Sequence, residues 1–184
     1  KLYNSNSNFD GTKKTYSFII PNQSFHYLSE LYLNLTLNSS SIIDSKISNL
    51  KRVYAFKKKL GFAIIDKVEI LINSKTIETI TGNWLNIWNE LTNNYKNIDE
   101  MIGNTENIYN FSTSKKSIDL LIPLAVWFSK NDTDYFPLYK LNQNNNFEVK
   151  ITLNKQEDII IEGPTNSIVI NDDLVSFTNF EILQ

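Results

Sequence analysis

Gly61-Phe-Ala-Ile-Ile-Asp-Lys-Val-Glu-Ile-Leu-Ile72, then Asn73-Ser74, Lys75–Thr81 and Gly82-Asn-Trp-Leu-Asn-Ile-Trp-Asn-Glu-Leu-Thr92, is the stretch that decides the fold. Val68, Ile70 and Ile72 alternate with Lys67, Glu69 and Leu71. That period of two sends one face of a strand into a core and the other into water. Asn73-Ser74 interrupts the run. Asn tolerates positive φ, so a tight hairpin is expected between this strand and a second over Lys75–Thr81. At Gly82 the period changes. Trp84, Ile87, Trp88 and Leu91 fall at i, i+3, i+4 and i+7, one apolar stripe on a helix. Asn83 is the expected N-cap, with Gly82 letting the chain turn into the helix. Tyr95, Ile98 and Ile102 extend the stripe. The order is therefore strand, hairpin, strand, inserted helix.

Strand patterns dominate on either side. Leu31, Leu33, Leu35 and Leu37 alternate with Tyr32, Asn34 and Thr36, and Phe147, Val149, Ile151 and Leu153 with Glu148, Lys150 and Thr152. Further β-rich windows are Tyr16–Ile20, Lys51–Phe56, Ile118–Phe128, Asp158–Glu162, Ser167–Ile170 and Leu174–Leu183, making about ten short runs in all. Pro123 cannot donate to a ladder, so it is expected at a strand start, an edge or a bulge. Many short strands around one core read as a sandwich or barrel. Asn142–Asn146 reads as a solvated loop tip. The chain of 184 residues and 21.3 kDa has the length of one domain.

Composition removes several classes of function. The net charge of −2 gives no case for a protein that coats nucleic acid. There is no cysteine and one histidine, His26, which excludes disulfides, thiolate nucleophiles and histidine-based zinc centres. No cofactor is expected. The longest apolar run, Leu120–Phe128, is too short to span a bilayer. Lys outnumbers Arg 17 to 1, and Asn and Ile occur 26 and 24 times. All three favoured residues have AT-rich codons, so most of these Asn and Lys residues need no individual role.

Motifs for catalysis are missing: there is no GxSxG, GxxxxGK[ST], GxGxxG or HExxH. His26, beside Phe25 and Tyr27, reads as a packing residue rather than a base. Asp99-Glu100 and Asp172-Asp173 read as solvated neighbours, and the protein is not expected to be an enzyme. Lys51, Arg52, Lys57, Lys58 and Lys59 form the main basic cluster, interleaved with Tyr54 and Phe56. It is a solvated strand end or a contact for phosphates of nucleic acid or lipid. Sequons at Asn22, Asn34, Asn38, Asn110 and Asn131 are read as accidents of the Asn bias. Trp84, Trp88 and Trp127 read as core or subunit packing rather than a sugar platform.

Taken together, four segments in order resemble the major capsid proteins of the nucleocytoplasmic large DNA viruses. They are His26–Leu37, the Gly61–Ile72 and Gly82–Thr92 pair, Leu121-Ile-Pro-Leu-Ala-Val-Trp-Phe128, and Phe136-Pro-Leu-Tyr-Lys-Leu141 with Phe147-Glu-Val-Lys-Ile151. Asn73-Ser74 stands where that family often has two glycines, and Lys140 where it has a small residue. The resemblance implies an all-β fold: an eight-stranded jelly-roll β-sandwich with a short helix inserted in a connecting loop, residues 1–184 being the first of two such rolls. The native start is expected upstream of Lys1. It further implies a homotrimeric, pseudo-hexagonal capsomer in an icosahedral shell, placed in the virion and assembled in the host cytoplasm. Partners would be neighbouring capsomers, minor capsid proteins and an inner viral membrane, with no sequence-specific binding of nucleic acid. Alternatives are a transient poxvirus-like scaffold on a viral membrane and a glycan-binding jelly-roll module. The expected subunit contacts are Trp84, Trp88 and Leu91 on the helix, and Pro137 and Lys140 on a loop. Lys57, Lys58 and Lys59 are expected to meet a membrane or internal proteins.

Overall fold

A computed structural model describes residues 3–4, 14–20, 27–39, 54–92, 98–110, 117–131, 133–141, 146–162 and 175–183. In chain order the elements are β1 (Tyr3–Asn4), β2 (Thr15–Ile20), β3 (Tyr27–Leu28), β4 (Tyr32–Ser39), β5 (Tyr54–Phe56), α1 (Leu60–Ile64), β6 (Ile65–Ile72), β7 (Lys75–Thr81) and α2 (Gly82–Thr92). There follow α3 (Ile98–Met101), α4 (Glu106–Tyr109), β8 (Ile118–Pro123), β9 (Phe136–Pro137), β10 (Phe147–Leu153), α5 (Gln156–Ile159), β11 (Ile160–Glu162) and β12 (Val175–Leu183). Two 3₁₀ turns cover Trp127–Ser129 and Leu138–Lys140.

The main strands make two four-stranded antiparallel sheets, ordered β1-β12-β4-β8 and β2-β10-β6-β7. Their pairing is nested. β6 pairs with β7 across the Asn73-Ser74 turn, and β4 with β8 outside that. β2 pairs with β10 and β1 with β12 outside again. The chain is thus one long hairpin folded over, its levels alternating between the sheets. The pairings β4–β12 and β6–β10 close the roll. This is jelly-roll topology. Two short ribbons, β3–β9 and β5–β11, are added to it.

Alternation selects the core. Leu31, Leu33, Leu35 and Leu37 are all buried, as are Phe147, Val149, Ile151 and Leu153, and both sets join one cluster with Tyr16, Phe18, Ile20, Val68 and Ile70. Polar positions keep to the outer faces, where Lys150 pairs with Glu148 at 3.4 Å and Lys67 with Glu69 at 2.9 Å. Thr152 is a buried exception, its hydroxyl 2.9 Å from that of Thr15.

Several details depart from the sequence reading. Residues 60–64 are helical, so β6 begins at Ile65 rather than continuing from Gly61. A register shift between Ile70 and Leu71 breaks the alternation, leaving Leu71 buried and Ile72 only half-buried. Residues 156–159 form α5, so the strand expected over Asp158–Glu162 is shortened to β11. Pro123, by contrast, keeps to an edge strand as expected, at the end of β8, where its missing N–H breaks no ladder. Ile98 opens a separate short helix. The expectations for Tyr95, His26, Lys51, Arg52, Asn22, Asp172-Asp173, Ser167–Ile170 and most of Asn142–Asn146 fall outside the described residues.

Successive strands of the roll run in opposite directions, so its connections alternate between two ends. The β2–β4, β6–β7 and β8–β10 connections share one end. There β3 pairs with β9, and the Asn73 N–H donates to the Asn146 carbonyl at 3.1 Å. The β4–β6, β7–β8 and β10–β12 connections share the other. There β5 pairs with β11, and the Gly61 N–H donates to the Ile102 carbonyl at 2.8 Å.

Two substitutions test this account. Asn73 and Ser74 have φ of 51° and 62°, the positive values of a tight two-residue hairpin. Ser74→Gly is expected to raise unfolding stability in urea by about 1 kcal/mol by removing left-handed strain from a side-chain-bearing residue. At Gly82 a Cβ would lie 2.2 Å from the carbonyl oxygens of both Phe62 and Ile65. Gly82→Ala is expected to lower stability by about 2–3 kcal/mol.

Candidate interaction surfaces at the two ends of the roll

Helix α2 follows β7 without a loop. Its cap is Thr81, whose hydroxyl accepts the Trp84 N–H at 3.2 Å, and not Asn83, which is already inside the helix. Thr81 is the last β7 residue, so one residue ends the strand and caps the helix. Only Leu85 and Gly82 of α2 are buried. The Trp84, Ile87, Trp88 and Leu91 stripe lies mostly outside the core: Trp84 is 39% exposed, Ile87 49% and Leu91 73%. Trp88 is half-buried, 6.1 Å from the Trp84 ring and beneath the Lys130 ammonium at 5.5 Å. Lys130 also pairs with Glu78 of β7 at 3.7 Å, and the Trp127 N–H donates to the other Glu78 carboxylate oxygen at 3.0 Å. Glu78 thereby fastens the β8–β10 connection to β7, a role its sequence neighbourhood does not advertise. The cavity beneath α2, lined by Phe62, Leu85, Trp88, Ile98 and Pro123 among others, measures about 10 Å³, the volume of one water, and holds no substrate.

The basic cluster divides. Tyr54 and Phe56 are buried at 1% and 0% exposure, packed edge to face with centroids 5.7 Å apart. Neither is available to stack on a base, so the interleaved-aromatic reading loses its aromatics. Lys59 sits at a φ of 52°, at the N-cap position of α1. Its ammonium bonds Asn86 Oδ1 at 2.9 Å and the Glu90 carboxylate, both on α2, and its N–H donates to Asn104 Oδ1 at 3.3 Å. One residue therefore ties α1, α2 and the turn after α3. Lys57 and Lys58 are exposed, and the Lys58 ammonium lies 5.0 Å from the Tyr109 ring centre.

Pro137 and Lys140 lie at the opposite end. Pro137 is half-buried in the β3–β9 ribbon, and Lys140 is exposed on the following 3₁₀ turn. Around them stand three exposed tyrosines that sequence reasoning missed. Tyr27 packs edge to face against Tyr135 at 4.8 Å and Tyr139 at 5.3 Å. The only sequence signal was alternation in Tyr135-Phe136-Pro137-Leu138-Tyr139, and the distant partner Tyr27 is supplied by the fold. The hydrogen bond to Tyr139 holds the Tyr27 phenol above its ordinary pKa of 10.0, helped by the charge of Tyr139 and by desolvation, against the pull of Lys140. A raised pKa in the folded state means this contact stabilises below the ordinary tyrosine range and fades as pH climbs through the raised value. Trp127, with Phe128 at 4.8 Å and Phe136 at 5.9 Å, is half-buried on the aromatic layer inside the ribbon, as its apolar run implied.

Among the described residues there is no group of three His, Cys, Asp or Glu side chains that would hold a metal, and no helix long and apolar enough to cross a membrane. Asp99 and Glu100 are exposed on α3, where Asp99 accepts from Asn104.

What remains is a jelly roll with two furnished ends. The model of the family described as "Major capsid protein N-terminus" matches residues 4–180. "Probable capsid protein 4" of Acanthamoeba polyphaga mimivirus is 34% identical over 155 residues, covering 82% of this chain and 30% of that protein. "Probable capsid protein 3" of the same virus is 29% identical over 158 residues, 79% of this chain and 7% of that protein. In three dimensions the chain is similar to the PBCV-1 virus capsid protein, with a TM-score of 0.68 at 14% identity over 99% of this chain and 39% of that one. It is also similar to the Faustovirus major capsid protein, with a TM-score of 0.63 at 10% identity over 90% and 44%. The chain belongs to the major capsid protein family of the nucleocytoplasmic large DNA viruses, whose members are structural proteins and not enzymes. It spans less than a third of the length of the mimivirus protein it matches at 34% identity.

The three lysines are expected to separate on mutation. Lys59→Ala should lower urea stability by about 1 kcal/mol, the upper range for a partly exposed ion pair. Lys57→Ala and Lys58→Ala should each stay within about 0.5 kcal/mol of the parent.

Proposed function

We propose that this chain is the first of two jelly rolls of a major capsid protein. Three copies of the whole protein would close into a pseudo-hexagonal capsomer, and capsomers would tile an icosahedral shell of the virion, assembled in the host cytoplasm. The observation that carries this reading is the family match over residues 4–180 of a chain folded as a jelly roll. The share of 39–44% that the chain covers in the solved capsid proteins leaves length for a second roll of similar size.

A tile needs surfaces that bury area against copies of itself. Trp84, Ile87 and Leu91 supply an exposed apolar face on a helix held by Lys59. We assign it, with Trp88, to packing between rolls or subunits. Pro137 and Lys140 are assigned to a second edge at the opposite end. Lys57 and Lys58 are assigned to contact with minor capsid proteins or an inner membrane, with Lys59 occupied by α2.

Light scattering on the full-length protein is expected to give the mass of a trimer. Trp84→Ala combined with Leu91→Asp should shift it toward monomer with little change in Tm, because neither side chain is part of the core. A wild-type monomer at micromolar concentration would overturn the trimer. A trimer that survives the double substitution would remove α2 from the interface and leave the trimer standing.

A further inference from the structure

The three tyrosines at the β3–β9 end pack on one another and stay out of the core. Tyr27, Tyr135 and Tyr139 are 48%, 57% and 43% exposed. Their positions alternate with Leu28, Phe136 and Leu138, which face inward. Phe136 stacks on Phe128 at 5.9 Å and on Phe147 at 5.1 Å, so the ribbon rests on a layer of buried rings. Tyr27 stands between the other two, its plane at 87° to Tyr135 and 67° to Tyr139. The result is a corner of three exposed aromatic rings packed on one another. Lys140 follows Tyr139 on the same 3₁₀ turn and is exposed.

We propose that Tyr27, Tyr135, Tyr139 and Lys140 form a carbohydrate-binding site for an acidic glycan, a pyranose chain that carries carboxylates. The C–H face of one sugar ring lies against Tyr135, the most exposed of the rings. Phenol oxygens of the rim exchange hydrogen bonds with the sugar hydroxyls, and the Lys140 ammonium pairs with the carboxylate. Size and charge select this ligand. Among the described residues the corner offers three rings and one cation, which match one or two sugar units, whereas a stable protein partner buries about 800 Å² on each side. A nucleic-acid strand would bring a phosphate with every base and needs a groove of several cations, where the described residues of the ribbon and its turn offer Lys140. Pre-formed aromatic anchors on a rigid base lose little entropy on binding. This inference takes Lys140 out of the second edge proposed above and leaves Pro137 there; it does not depend on the α2 interface.

The test is isothermal titration of the full-length protein with a galacturonic acid oligosaccharide, its neutral galactose counterpart and a single-stranded oligonucleotide. The acidic oligosaccharide is expected to bind, with Tyr135→Ala raising its Kd about tenfold or more. Lys140→Gln is expected to erase the preference for the acidic sugar over the neutral one. Thermal melts of both variants should match the parent, since both side chains are exposed. Absence of binding, an unchanged Kd in Tyr135→Ala, equal affinity for the neutral sugar, or tighter binding of the oligonucleotide at these residues would each overturn the site.

Discussion

Two apolar sheet faces that must cover each other are the constraint on which the rest of this molecule depends. Neither four-stranded sheet has a core without its opposite. β4 alone commits Leu33, Leu35 and Leu37 inward, and β10 answers with Phe147, Val149, Ile151 and Leu153. Each buried side chain of this size stabilises by roughly 1.5–3 kcal/mol. A one-residue slip in any strand would turn its whole set to water. Nested pairing lets a single chain fill both sheets without crossing itself, because each outer pair of strands folds over the pair inside it. The Asn73-Ser74 turn is the innermost point of that nest, and its left-handed geometry fixes the β6–β7 pairing next to it, up to the register shift at Ile70 and Leu71.

Closing the roll leaves open edges, and the helices cover one side of them. β7 ends one sheet and β8 the other, and the connection between these two strands carries α2, α3 and α4. α2 packs on β6 and β7, while α1 and α3 pack on β8. Unpaired strand edges invite pairing with other chains, and a helical cover prevents this while offering side chains of its own. The close approach depends on Gly82, whose missing Cβ admits the carbonyls of Phe62 and Ile65. Lys59 holds the cover by polar bonds at its rim. An apolar stripe can therefore stay exposed on a helix that is nonetheless fixed, which suits an interface better than a core.

The alternation of connections gives the roll two chemically different ends. Lys57, Lys58 and α2 belong to one, and Pro137, Lys140 and the tyrosines to the other. On the outer face of the β2-β10-β6-β7 sheet, Lys67 pairs with Glu69 and Lys150 with Glu148 within the chain.

Local sequence determined a good deal here. Strict alternation in Leu31–Leu37 and Phe147–Leu153, the break at Asn73-Ser74 and the change to helical spacing at Gly82 are local signals, and each corresponds to an element of the structure. They were legible because period and turn chemistry act over a few residues. The family was legible for the same reason, from four short segments in order. Tertiary structure alone decided matters that depend on distant neighbours. It moved the helix cap to Thr81, made α1 out of residues that look like strand, and turned the Trp84 stripe outward because Leu85 and the small Gly82 face the sheet. It buried Tyr54 and Phe56 within a basic cluster that looked like a phosphate site, and it committed Lys59 to Glu90. The tyrosine corner was beyond any reading of the sequence, because Tyr27 meets Tyr135 and Tyr139 only where the chain returns through the nested pairing of the sheets.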